Sequence, residues 1–335
     1  MNRLYLLVLC LYAGLIACHK NDTKPVPEHF NDGLNDGINY GIAAPYKNDV
    51  GLSNNKYVLA VEDFESGTTT LSTEHDRYKT NIAVVSNQGF NSDYAALHSW
   101  KEGHNGPTCR YLIPEEAQHE DQPAYFVRMY LKFDKSFHPH FNSTPPEGNY
   151  SSVGVKGFGI YNESGSSGVN VPCDGTNWYG VACQFVGWGP SAKKVANDKF
   201  LWFGHMYSYN AYPLQTHATK GEIKISDPGK GEHAYRFSIY GDPYQYITFD
   251  EWYCYEIGLY LNTPGHHDGE ARFWINGVLQ SRASNMRFRD IEDLKPLSVH
   301  LNLHRTTEKF KHTMKRYADN IVIAKRYIGP IKKNP

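Results

Sequence analysis

The chain has 335 residues with 34 basic and 35 acidic side chains, a formal net charge of -1, and no long run of one sign. That balance argues against a general polyanion surface and so against nucleic acid as a partner. Aromatic residues make up 14% of the sequence, 25 of them tyrosines, which suits a large β core or flat apolar partners.

Arg3 precedes an apolar run over 4–16, and Leu15-Ile16-Ala17-Cys18 closes it. The run is too short to span a bilayer as a stable helix and reads as a secretory signal over 1–17. The small residue before Cys18 resembles a bacterial lipoprotein cleavage box. The resemblance implies that Cys18 is lipidated and becomes the first mature residue. The chain would then be held at the outer membrane, on its periplasmic or cell-surface side, by the lipid anchor only. Residues 18–55 are rich in Asn, Asp, Gly, Lys and Pro, so a tether or loosely packed arm is expected there.

The folded domain is expected over 56–330. Runs of β-branched and aromatic residues recur at 57–61, 82–85, 125–133, 154–160, 179–186, 201–209, 235–240, 252–261, 271–275, 297–303 and 320–324, separated by Gly, Pro and Asn clusters. No amphipathic run is long enough for a core helix. The fold class is therefore all-β: a two-sheet antiparallel sandwich of jelly-roll, concanavalin-like form. Asn276-Gly277 marks a tight hairpin, because both central residues of that turn need positive φ. The strand at 317–323 is expected to return beside the first one. With Cys10 lost and Cys18 lipidated, Cys109, Cys173, Cys183 and Cys254 remain, and four cysteines allow three pairings. Cys173 with Cys183 is the first choice, since a short Gly/Asn-containing turn separates them.

Phe200 to Tyr209, FLWFGHMYSY, carries the densest chemistry. Read as a strand, it puts His205, Tyr207 and Tyr209 on one face, with same-face neighbours roughly 6.6 Å apart. The plain alternative is an amphipathic strand with tyrosines at the rim of a core. Upstream, His104 and Asn105 lie in a polar loop before Arg110, a combination that suits carboxylate binding. A surface loop of ordinary turn formers has the same composition. Arg287, Arg289, His300, His304 and Arg305 add basic character late in the chain, and His300, Asn302 and His304 alternate along one strand. No CxxC pair, Gly-rich phosphate loop or GxSxG elbow occurs, so zinc-ribbon, nucleotide and serine-hydrolase readings lack support. A metal site is not expected, apart from a structural calcium with Asp63 or Asp319 as ligands.

Leu261-Asn262-Thr263-Pro264-Gly265, then Asp268-Gly269 and Trp274-Ile275-Asn276-Gly277, followed by Tyr317-Ala318-Asp319-Asn320-Ile321-Val322-Ile323-Ala324, resemble the β-jelly-roll polysaccharide lyases, the alginate and glucuronan lyases in particular. The resemblance covers about residues 57 to 330. Val155-Lys156-Gly157-Phe158-Gly159 is similar to the lysine strand of the alginate branch, and Tyr207-Ser208-Tyr209 to its tyrosine pair. The Ser-x-Arg strand of that branch has no counterpart: 178–184 contains neither residue, and Gln184 stands where a carboxylate ligand is wanted.

The resemblance implies cleavage of a uronic-acid polysaccharide by β-elimination, with no cofactor required. Carboxylate neutralisation, proton removal and leaving-group protonation are then the three tasks. Lys156, His205, Tyr207 and Tyr209 are the expected catalytic groups, and His104, Asn105, Arg110 and Gln184 the expected substrate-binding ones. The protein is expected to be a monomer acting on an acidic polysaccharide. A carbohydrate-binding lipoprotein without activity is the alternative on the same fold. A glycoside hydrolase, which needs paired carboxylates, ranks last.

Overall fold

A computed structural model describes residues 29–69, 82–102, 108–115, 124–137, 153–163, 173–188, 201–211, 215–226, 236–241, 245–304 and 313–332. The chain divides into Met1–Asn31, of which 29–31 are described, and Asp32–Pro335, to which everything below refers.

The body is a two-sheet antiparallel β-sandwich of jelly-roll type. The first sheet holds β1 (Val58–Glu62), β2 (Ile82–Ser86), β3 (Tyr94–Trp100), β5 (Ala124–Phe133), β9 (His217–Lys220), β12 (Trp252–Tyr260), β13 (Gly269–Ile275), β14 (Val278–Met286) and β16 (Met314–Ala324). Its order is β2-β3-β16-β5-β12-β13-β14-β9, with β1 also paired to β16. The second sheet holds β4 (Thr108–Leu112), β6 (Val153–Glu163), β7 (Trp178–Trp188), β8 (Leu201–Tyr209), β10 (Glu222–Ser226), β11 (Arg236–Tyr240) and β15 (Ser298–His304). Its order is β10-β11-β8-β7-β6-β15-β4. Among the described residues the helical elements are two 3-10 turns, Lys47–Asp49 and Leu52–Asn54.

Alternation along each strand sends one set of side chains between the sheets. Val127, Met129 and Leu131 of β5 and Tyr255 and Ile257 of β12 meet Val181, Cys183 and Phe185 of β7 there. Phe185 stands edge-on to Phe133 at 4.9 Å and to Tyr255 at 5.3 Å, which ties the layers together. In β6 the alternation slips at Gly157, where Lys156 pairs Gln184 but Phe158 pairs Cys183. A side chain at 157 would begin 2.5 Å from the Phe185 ring, so the bulge takes a glycine. Because of the slip, Lys156 and Tyr161 face outward while Phe158 and Ile160 stay in the core.

The expected hairpin is formed: Asn276 has φ 51 and Gly277 φ 78 between β13 and β14. The Asn262 motif is scaffold. Its Oδ1 accepts the N–H groups of Phe288 (2.8 Å) and Arg289 (3.0 Å), and its Nδ2 donates to the Arg289 carbonyl at 2.7 Å.

Two expectations are corrected. The arm expected over 18–55 is packed in its second half, with Asn39, Ala43, Asp49 and Leu52 all buried. Trp274 Nε1 donates to the Gly33 carbonyl at 2.7 Å, and Asp49 forms a buried ion pair with Arg128 of β5. Polar composition hid this, because the segment is held by hydrogen bonds and one charge pair. The Cys173–Cys183 pairing does not occur, and Cys109, Cys173, Cys183 and Cys254 are all free and buried. Cys183 points into the inter-sheet core, whereas Cys173 belongs to a cluster with Trp178, Tyr207 and Tyr209 on the opposite face.

Candidate functional site

The outer face of the seven-stranded sheet gathers most of the expected site. Antiparallel register fixes its rows: Lys156 of β6 pairs Gln184 of β7, and Gln184 pairs His205 of β8. On the far side of Lys156 the register partner is His304 of β15. Directly paired side chains stand about 5 Å apart, so cation, amide and imidazole lie along roughly 10 Å. One step along the strands, a second row runs Arg110, His300, Gly159, Ala182, Tyr207 and Ser238. A third places Ser298, Tyr161, Gly180 and Tyr209 side by side.

His205 is 1% exposed and lies flat against Tyr240, ring centroids 4.6 Å apart at 18°. Burial drives its pKa down to about 3, so the imidazole is neutral. Among the described residues neither ring nitrogen has a hydrogen-bond partner, which leaves one donor and one acceptor unused in a buried place. Such a group costs about 1–3 kcal/mol and points to a ligand or a catalytic duty.

Tyr207 donates to the Tyr209 hydroxyl at 2.8 Å, with the rings at 90°. Trp178 packs on Tyr209 at 4.7 Å and fixes its orientation. The two phenols form a relay through which a proton can pass. Lys156, Gln184 and Arg110 are half-buried, and they mark where this face meets solvent. His300 is buried, its Nε2 3.0 Å from Ser298 Oγ and its ring 4.7 Å from Tyr161.

The structure thus brings Lys156, Gln184, His205, Tyr207 and Tyr209 together. Arg110 shares the face but stands four strands from Tyr207, about 19 Å at ordinary strand spacing. His104, Asn105, Arg305 and Cys18 lie outside the described residues. His300 pairs Gly159 and His304 pairs Lys156, with a register shift between Leu301 and His304, and the side chains of Asn302 and His304 lie outside the described residues. Arg287 pairs with Asp290, and Arg289 is bound to the carbonyls of Asn262 and Glu292, so both serve the scaffold. Tyr240 joins the face two residues beyond Ser238, a place that alternation along β11 marks, whereas Tyr161 is brought there by the bulge at Gly157, which no local pattern shows.

Among the described residues no group of three His, Cys, Asp or Glu is placed to hold a metal. Asp319 spends its carboxylate on the Phe90 N–H (2.6 Å), the Ser92 hydroxyl (2.8 Å) and its neighbour's N–H at Asn320 (2.7 Å). Asp63 accepts the Glu65 N–H at 3.1 Å.

The same sandwich fold is found in solved alginate lyases. The alginate lyase of Aplysia kurodai superposes with a TM-score of 0.51 at 14% identity, over 82% of this chain and 99% of that one. A double mutant of alginate lyase Aly36B in complex with alginate tetrasaccharide gives 0.50 at 13% identity, over 82% and 100%. The endo-β-1,4-glucuronan lyase of Trichoderma reesei gives 0.41 at 10% identity, over 80% and 95%. No protein-family model matches the chain, and no curated protein does. At these identities the likeness carries the fold and leaves the chemistry to the residues themselves.

Proposed function

We propose that this protein is a polysaccharide lyase that cleaves a uronic-acid polymer by β-elimination on the outer face of the seven-stranded sheet. The observation that carries the reading is the in-register row Lys156–Gln184–His205 with the Tyr207–Tyr209 hydroxyl pair beside it. In this reading Lys156 and Gln184 take the sugar carboxylate, so that charge developing at the adjacent carbon is neutralised. His205, neutral and unpartnered, accepts the proton from that carbon. A carboxylate bound nearby favours the imidazolium and so raises its basicity from the resting state. The carbon–oxygen bond one carbon further on breaks, and Tyr207 protonates the departing oxygen and is resupplied through Tyr209. The leader and Cys18 complete the proposal by tethering the enzyme to the outer membrane.

The burial that holds His205 neutral also favours the second reading, a carbohydrate-binding protein without activity. Incubation with alginate, glucuronan, ulvan and glycosaminoglycans, following the absorbance of the unsaturated uronate, separates the two. The expected result is a rise with at least one polymer, reduced a hundredfold or more in Tyr207→Phe and His205→Asn. Binding with no absorbance rise across the whole panel refutes the lyase.

A further inference from the structure

The outer side of the nine-stranded sheet, away from the face described above, holds an aromatic cavity of about 290 Å³. Tyr130 and Cys254, paired between β5 and β12, are among its lining residues. Phe90 stacks on Tyr130 at 3.9 Å and 15°, and meets Trp252 edge-on at 5.9 Å. Ile331 and Tyr40 border it as well. The Tyr130 hydroxyl is engaged, accepting the Ile331 N–H at 2.7 Å, so this wall is fixed. Tyr40 remains 48% exposed.

Two ammonium groups flank the aromatics. Lys132 Nζ is 5.0 Å from the Trp252 ring centre, and Lys332 Nζ is 6.0 Å from that of Tyr40. Lys132 also donates to Gln88 Oε1 at 3.0 Å, stands 4.6 Å from the Tyr317 ring centre and lies in the field of Asp134 and Asp250; among the described residues no carboxylate lines the cavity itself. Ligand pockets begin at about 300 Å³, so there is room for one ring. Flat aromatic walls suit the C–H face of a pyranose, and the rim ammonium groups suit a carboxylate on it.

We propose that this cavity is a second carbohydrate site, taking a single uronate ring of an acidic polysaccharide. It shares with the lyase reading only the class of sugar. Two packed sheets, about 10 Å apart, separate it from the His205 face, so one short oligosaccharide cannot occupy both. A polymer held here would raise the local concentration of the same chain at the other face.

The test follows indole N–H resonances of the ¹⁵N-labelled protein on titration with tetrasaccharides of mannuronate and of glucuronate, with cellotetraose as the neutral control and Trp252→Phe for assignment. Acidic tetrasaccharides should shift the Trp252 signal more than cellotetraose does. Tyr40→Ala, half exposed and so no threat to folding, should weaken that binding about tenfold. Tyr207→Phe should leave it unchanged. An unmoved Trp252 signal, an equal response to cellotetraose, or full affinity in Tyr40→Ala overturns the proposal. Tyr40-dependent binding to anionic phospholipid vesicles, without a tetrasaccharide response, overturns it in favour of a lipid surface. A Trp252 shift with no unsaturated product from any of the four polymer classes keeps this site and removes the lyase; product without the shift does the reverse.

Discussion

Asp49→Ala tests how firmly the segment before β1 belongs to the domain. Arg128 and Asp49 have side-chain exposures of 0% and 3%, and removing the carboxylate strands a guanidinium in the interior. Breaking one half of such a pair costs about 3–5 kcal/mol. Two carbonyl partners survive, Gly329 at 3.1 Å and Asn320 at 3.2 Å, which places the loss near the lower end, about 3 kcal/mol. For a domain of this size that corresponds to a fall in Tm of about 5 °C. Thermal unfolding followed by circular dichroism reads it directly. Adding Arg128→Met should recover much of the loss, because the buried charge then goes as well. A Tm within 2 °C of wild type in Asp49→Ala would refute the reasoning, and with it the docking of this segment.

Glu256 makes stability depend on pH. Burial raises its pKa to about 7 even though both oxygens accept N–H groups, from Ile328 and Gly329 at 2.8 Å. Folded protein therefore holds this proton more tightly than unfolded chain does. The stability it contributes is full below about pH 4.5 and is lost as pH rises through 7, by about 3 kcal/mol. Glu256→Gln should flatten urea-denaturation stability between pH 5 and 7; an unchanged slope counts against the assignment. Asp319, also raised to about 7 by burial, acts in the same direction. The thiols should be inert: burial lifts Cys109 and Cys254 to about 12, so native protein should react with a thiol reagent far more slowly than unfolded protein, and reductant should leave Tm unchanged. Rapid labelling of any of the four in the native state contradicts this. Gly277→Ala should destabilise by about 1–3 kcal/mol, since φ is 78 and the new Cβ falls 2.7 Å from the Asn39 carbonyl; denaturation matching wild type would rule out the tight turn.

Strands with dense β-branched and aromatic residues were legible to within a few positions; β8 is found as read, at Leu201–Tyr209. Those missed are polar or rich in small residues. β14, VLQSRASNM, sets Ser281 and Ala283 opposite the core residues Phe273 and Ala271, and small or polar inward positions of this kind are not marked by hydrophobicity. β9 and β10 are short, polar strands at the sheet edges. Within the site, alternation on β8 showed that His205, Tyr207 and Tyr209 share a face. The row that joins His205 to Lys156 was not legible, because register between strands is a property of the assembled sheet. The bulge at Gly157 adds a second difficulty: Lys156 and Tyr161 share a face at odd spacing, where strict alternation separates them.

Between His300 and Tyr207 the second row is carried by Gly159 and Ala182. A side chain at Gly159 would begin 2.6 Å from the Ala182 Cβ, so that position is closed to change. Gly180, one strand over, is closed in the same way, with the Tyr161 ring 2.4 Å from where its Cβ would begin. Two glycines on neighbouring strands thus let one ring lie down against the sheet, and the relief of this face is set by positions that carry no proton-handling group.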